Sequence, residues 1–283
     1  MTSPLITTAD LAARLGDPSW VVVDCRFTLT DPPAGPAAYA RSHIPGARYA
    51  HLDDDLARHP GPTDGRHPLP AAADFVARLG AWGIGNDSTV VAYDEASGAI
   101  AARLWWLLGW VGHEGRLVLD GGFAAWNAAG LPLETQPPAW RPTRFLARNV
   151  GEESVVRTAD LPALLAGGGL LVDARAAPRY RGEQEPIDPV AGHVPGAVNR
   201  PGSVNVGADG RFRTPDALRR ELTELLGGRP PGALIAMCGS GVTACQLLLA
   251  LDVAGLDGAK LYPGSWSEWI RDPGRPIAKG SNP

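Results

Sequence analysis

Short apolar runs rich in β-branched residues alternate along this chain with longer stretches whose apolar positions recur every three or four residues. The runs Trp20–Asp24, Thr89–Tyr93 and Leu117–Leu119, and later Leu170–Asp173, Leu234–Met237 and Lys260–Tyr262, predict strands. Helical spacing predicts helices near Ala71–Gly80, Ile100–Leu108, Thr158–Leu165, Pro215–Leu226 and Val242–Ala250. The strands are apolar throughout rather than alternating, so both of their faces are expected to be covered. Strands of that kind separated by helices imply the α/β class, with parallel sheets flanked by helices.

The pattern occurs twice. Val22-Val23-Asp24-Cys25-Arg26 returns as Leu171-Val172-Asp173-Ala174-Arg175, and His43-Ile44-Pro45-Gly46-Ala47 as His193-Val194-Pro195-Gly196-Ala197. Thr89–Asp94 answers Leu234–Cys238, and the block 119–126 answers 262–269. Matching blocks in the same order argue for a duplicated domain. The boundary is expected within 133–149, where the Pro-rich stretch 136–142 reads as linker punctuation, giving a division into 1–140, a linker at 141–155, and 156–283.

Composition narrows the function classes. The 283 residues are 45% apolar and 20% charged, with a formal net charge of −4, which offers no broad basic surface for nucleic acid or acidic membranes. No apolar stretch approaches a bilayer span and no basic-then-apolar leader opens the chain, so a cytoplasmic setting is expected. Three cysteines, Cys25, Cys238 and Cys245, form neither a metal-ligand spacing nor a disulfide framework, so no metal is expected.

The densest chemical signal is Cys238-Gly239-Ser240-Gly241-Val242-Thr243, entered from a strand and leading into a helix. Gly239 and Gly241 allow the backbone to curl so that successive N–H groups converge, here on the Cys238 sulfur at the positive end of the following helix. Such a setting favours a thiolate, so Cys238 is the expected nucleophile. Its counterpart in the first repeat is Asp94, which cannot carry sulfur. One half therefore reads as catalytic and the other as its support.

These motifs together resemble the rhodanese-type sulfurtransferases in their two-domain form, and the resemblance spans nearly the whole chain. The loop from Cys238 to Thr243 is similar to that of the members acting on 3-mercaptopyruvate, whereas thiosulfate-preferring members place Arg and Lys directly after the cysteine. The resemblance implies a persulfide on Cys238, a substrate site formed by Gly239, Gly241, Val242, Thr243 and the carboxylate-binding Arg179, and no cofactor. A guanidinium suits a monoanionic α-keto acid, and cationic side chains beside the sulfur would favour the thiosulfate dianion. Eukaryotic members often carry a second arginine shortly after the first; the segment 183–189 here has none. The family also implies that Ser240 acts with an Asp–His pair, matched here by Asp53 and His67. Implied acceptors are a thiol, cyanide or a thioredoxin-type protein.

Rival readings stand beside this one. Thiosulfate:cyanide sulfur transfer uses the same scaffold, and a persulfide-carrying protein-binding module would show little small-molecule turnover. A cysteine-dependent phosphatase needs an arginine six residues after its nucleophile, and position 244 is alanine. Cys25 and Cys245 read as packing residues, His43 and His193 as turn-orienting residues, and the tryptophans as core.

Overall fold

The computed structural model describes residues 3–282, and its internal contacts divide it into two units. Unit 1 joins the chain up to Arg58 with Leu69–Gly151 and Gly207–Phe212; unit 2 joins His59–Pro68 with Glu152–Val206 and the chain from Arg213 onward.

Unit 1 runs β1 (Leu5–Ile6), α1 (Thr8–Ala12), β2 (Trp20–Asp24), α2 (Ala34–Arg41), β3 (Arg48–Tyr49), α3 (Ala72–Ala81), β4 (Thr89–Tyr93), α4 (Ala101–Trp110), β5 (Arg116–Leu119) and α5 (Gly122–Ala128). Its five strands are all parallel in the order β1-β5-β4-β2-β3. Unit 2 repeats the plan with α6 (Leu161–Ala166), β6 (Leu170–Asp173), α7 (Ala177–Tyr180), β7 (Val198–Asn199), α8 (Pro215–Leu226), β8 (Leu234–Met237), α9 (Ala244–Val253), β9 (Lys260–Leu261) and α10 (Ser265–Trp269). Its four parallel strands take the order β7-β6-β8-β9. β4 and β8 lie inside their sheets, so the loop after each opens at the carboxyl edge of the strands, where α/β sheets bind ligands.

The duplicated motifs have duplicated jobs. Asp24 pairs with Arg26, and Asp173 with Arg175, each at 2.6 Å inside the protein. Each arginine also donates to a turn carbonyl, Ser42 O in one case and Gly192 O in the other. His43 and His193, both fully buried, stack on Tyr39 and Tyr180, and each sets its Nδ1 2.8 Å from that tyrosine's carbonyl oxygen. The repeated histidines thus fix turns, as their sequence context suggested.

Several boundaries differ from expectation for local reasons. α6 starts at Leu161 rather than Thr158, because the Thr158 hydroxyl is engaged by Tyr262 and Glu268. α9 starts at Ala244, two residues after Val242, because the chain first turns through Gly241 at φ +75° and Thr243 serves as the cap. The stretch expected as a linker is packed as far as Gly151: Thr143 N donates to Gly80 O, Gly151 N donates to Trp110 O, and Phe145 is buried.

The loop after β4 shows what this backbone shape does. The Asp94 carboxylate, itself buried, accepts four main-chain N–H bonds: from Ala96 at 3.2 Å and Gly98 at 3.0 Å on Oδ1, and from Ile100 at 2.7 Å and Ala101 at 3.1 Å on Oδ2. Burial pushes this carboxyl above its ordinary value, while the four amides pull against that shift. The loop is an anion nest filled by its own side chain. Removing the carboxylate strands those amides, so Asp94→Ala should lose about 2–4 kcal/mol of stability in urea denaturation. An unchanged midpoint would contradict this account of the loop.

Candidate active site

The loop after β8 repeats that frame with a different side chain. Gly241 sits at φ +75°, as Gly98 does at φ +72°, and each lies three residues before its helix begins. Position 241 must be glycine on two counts, since a Cβ would also lie 2.5 Å from Pro263 O. The carbonyl of Cys238 accepts from Trp266 N at 3.0 Å, as that of Asp94 accepts from Phe123 N at 2.8 Å. Cys238 therefore stands where the first loop holds its carboxylate.

The sequence predicts loop amides converging on the Cys238 sulfur. Among the described residues no hydrogen bond within the chain reaches Cys238 Sγ, and none takes up the amides of Gly239, Ser240, Val242 or Thr243. Side-chain length accounts for the difference. The oxygens that fill the first nest are two bonds beyond Cβ, whereas Sγ is only one. A second sulfur on Cys238 would have the reach of an aspartate oxygen. Cys238 is 2% exposed. Its own N–H donates to Ser265 Oγ at 3.1 Å. Ser265 is buried at φ +52°, a left-handed conformation that its counterpart Gly122 adopts at φ +57° without steric cost.

Residues 59–68 complete unit 2 beside this loop. Arg66 N donates to Ser267 Oγ at 2.9 Å, and Arg271 Nε donates to Asp64 O at 3.1 Å. This segment brings His67 Nδ1 to 2.7 Å from Ser240 Oγ, with both residues buried. Two of the predicted residues thus form a hydroxyl–imidazole pair next to Cys238. Asp53 lies in unit 1, half-buried in the turn after β3, and its assignment rests on the resemblance alone.

Arg179, on α7, reaches the same loop. A Cβ at Gly239 would sit 3.6 Å from Arg179 Nη1 and Nη2, and 3.2 Å from Nη2 of Arg66. Arg66 is the residue that the sequence reading missed. It supplies from position 66 the second guanidinium that the segment 183–189 lacks, and its one sequence signal is adjacency to His67. Asp188 bridges the two cations, accepting from Arg66 Nη1 at 2.5 Å and from Arg179 Nη2 at 3.0 Å. Glu185 accepts from Arg179 Nε and Nη2 at 3.0 and 2.7 Å, and from the amides of Ile187 and Asp188. Burial opposes the Glu185 charge, but these donors outweigh it and hold its carboxyl below the ordinary value.

The other cysteines stand apart from chemistry. Cys25 is fully buried, and that burial pushes its thiol up; Cys245 is fully buried and donates to Gly241 O. Among the described residues no cluster of three or more His, Cys, Asp or Glu could hold a metal, and no helix is long and apolar enough to cross a membrane.

A parallel sheet, a duplicated strand–loop–helix nest and a cysteine at one of the two nests define the class. The chain belongs to the rhodanese-like family, whose domain model, "Rhodanese-like domain", matches residues 7–129 and again 158–272. It is 51% identical over 283 residues to a probable 3-mercaptopyruvate sulfurtransferase of Pseudomonas aeruginosa, covering 99% of each chain. It is 42% identical over 282 residues to a putative thiosulfate sulfurtransferase, SseB, of Mycobacterium tuberculosis, covering 98% of this chain and 97% of that one. Among solved structures it resembles the 3-mercaptopyruvate sulfotransferase SseA of Escherichia coli, with TM-score 0.79 and 32% identity over 94% of this chain and all of that one.

Ser265→Gly tests the anchoring of the cysteine, because it relaxes the backbone and removes the acceptor together. Hydrogen exchange at the Cys238 amide should quicken by about tenfold with the global stability little changed. Unaltered exchange would show that Ser265 does not hold Cys238.

Proposed function

We propose that this protein is a sulfurtransferase that takes sulfur from 3-mercaptopyruvate, carries it as a persulfide on Cys238 and passes it to a nucleophilic acceptor. One observation carries the reading. The second unit presents a cysteine in a nest whose first-unit copy binds a carboxylate, with two guanidiniums beside it.

The Cys238 thiolate attacks the donor sulfur, the sulfur–carbon bond breaks, and its electron pair leaves with pyruvate as the enolate. Ser240 and His67, in hydrogen-bond reach of one another, deliver the proton that converts the enolate to pyruvate. Arg179 and Arg66 hold the donor carboxylate at the open side of Gly239. The outer sulfur then takes the place of the Asp94 oxygens, in reach of loop amides such as that of Thr243, the counterpart of Ile100. An acceptor thiolate or cyanide attacks that sulfur, and the Cys238 thiolate leaves. A thioredoxin-type protein would supply such a thiolate in a cytoplasmic setting. No cofactor enters any step.

Thiosulfate is the second donor to weigh, because two guanidiniums also suit a dianion. Steady-state kcat/KM for both donors separates the readings: 3-mercaptopyruvate should exceed thiosulfate by at least about tenfold, and Cys238→Ser should abolish turnover of both. A preference for thiosulfate would overturn the donor assignment, and turnover by Cys238→Ser would overturn the mechanism. Arg179→Ala should weaken kcat/KM for 3-mercaptopyruvate by about 10- to 100-fold, mostly through KM.

A further inference from the structure

We infer that Asp188 determines donor selectivity by cancelling one of the two cations that face the reactive loop. This rests on the sulfurtransferase reading above and deepens it to the charge of the donor.

The loop itself carries no charged side chain between Cys238 and Thr243, yet the ground beside it is not uncharged. Arg66 and Arg179 present guanidinium nitrogens to the space over Gly239, and their side chains are 25% and 17% exposed. Behind them lie Asp188 and Glu185, with side chains only 3% and 4% exposed. Asp188 spends one oxygen on each arginine, and Glu185 pairs with Arg179. Arg175, which also touches Glu185, is matched by its own partner Asp173. Two cations and two anions leave the cluster neutral, with its positive side toward the donor.

A neutral cluster with a positive face binds a carboxylate by hydrogen bonds and gives little extra reward for a second negative charge. Coulomb attraction scales with the charge of the ligand, so unmasking one cation favours a dianion about twice as strongly as a monoanion. Glycine at 239 leaves room for two guanidiniums from elsewhere in the chain, and Asp188 keeps that pair from acting as a dianion site. Asp188 is thus a specificity-determining residue that acts through Arg66 and Arg179.

The test compares kcat/KM for thiosulfate and for 3-mercaptopyruvate in the full-length wild type, Asp188→Asn and Arg66→Gln, at one fixed ionic strength. Asp188→Asn should raise the thiosulfate-to-mercaptopyruvate ratio by about five- to tenfold. Arg66→Gln, which leaves Asp188 less compensated, should lower that ratio by a similar factor. A merely structural role would depress both donors together and leave the ratio within about twofold; that result, or both variants moving the ratio the same way, overturns the proposal. Should Asp188→Asn fail to unfold cooperatively, the Arg66→Gln ratio decides alone. A wild type that turns over neither donor would instead sink the sulfurtransferase reading, so the two failures are distinguishable.

Discussion

A run of main-chain N–H groups curled at the end of a buried strand must find a negative partner, and both halves of this protein are arranged around that need. In the first half the requirement is met permanently. Asp94 accepts four amides, and the loop is closed by its own side chain. In the second half the equivalent position is a cysteine whose sulfur is one bond too short to take the same place. A persulfide has the reach that the thiol lacks. The duplication therefore supplies an internal comparison: the first copy shows which atom position the nest holds, and on the proposed reading the second copy keeps that position for transferred sulfur.

Charge near the nest comes from outside the loop. The thiosulfate-preferring pattern in this family puts cations immediately after the cysteine; here position 239 is glycine, and Arg66 and Arg179 approach the space that its missing side chain leaves. Both are tied to buried carboxylates, so their number alone does not describe the potential a donor meets. On the inference above, pairing, more than the presence or absence of arginine, is what separates a carboxylate clamp from a dianion site.

Much of this architecture is legible in the sequence, and the parts that are not have physical reasons. The strands at Trp20–Asp24, Thr89–Tyr93, Leu170–Asp173 and Leu234–Met237 fall where the apolar runs place them, because strands covered on both faces are mostly apolar, and the two buried aspartates that end β2 and β6 are each paired with an arginine. Two-residue strands such as β1, β3 and β7 are too short to show a period, and their partners alone define them. Cys238 announces itself through its glycines. Arg66 does not: it lies in an irregular segment whose destination is set by tertiary contacts with Ser267 and Asp188, which no local pattern encodes. The Glu185–Asp188 turn is likewise visible only once Arg66 and Arg179 are seen to converge on it.

The most direct test of the nest's purpose is intact-mass measurement of the protein after brief exposure to 3-mercaptopyruvate and removal of excess donor. The account predicts a gain of about 32 Da, one sulfur atom, that maps to the peptide bearing Cys238, persists without acceptor and disappears on addition of cyanide. A chain that turns over donor without ever gaining that mass, or gains it on Cys25 or Cys245, would contradict it.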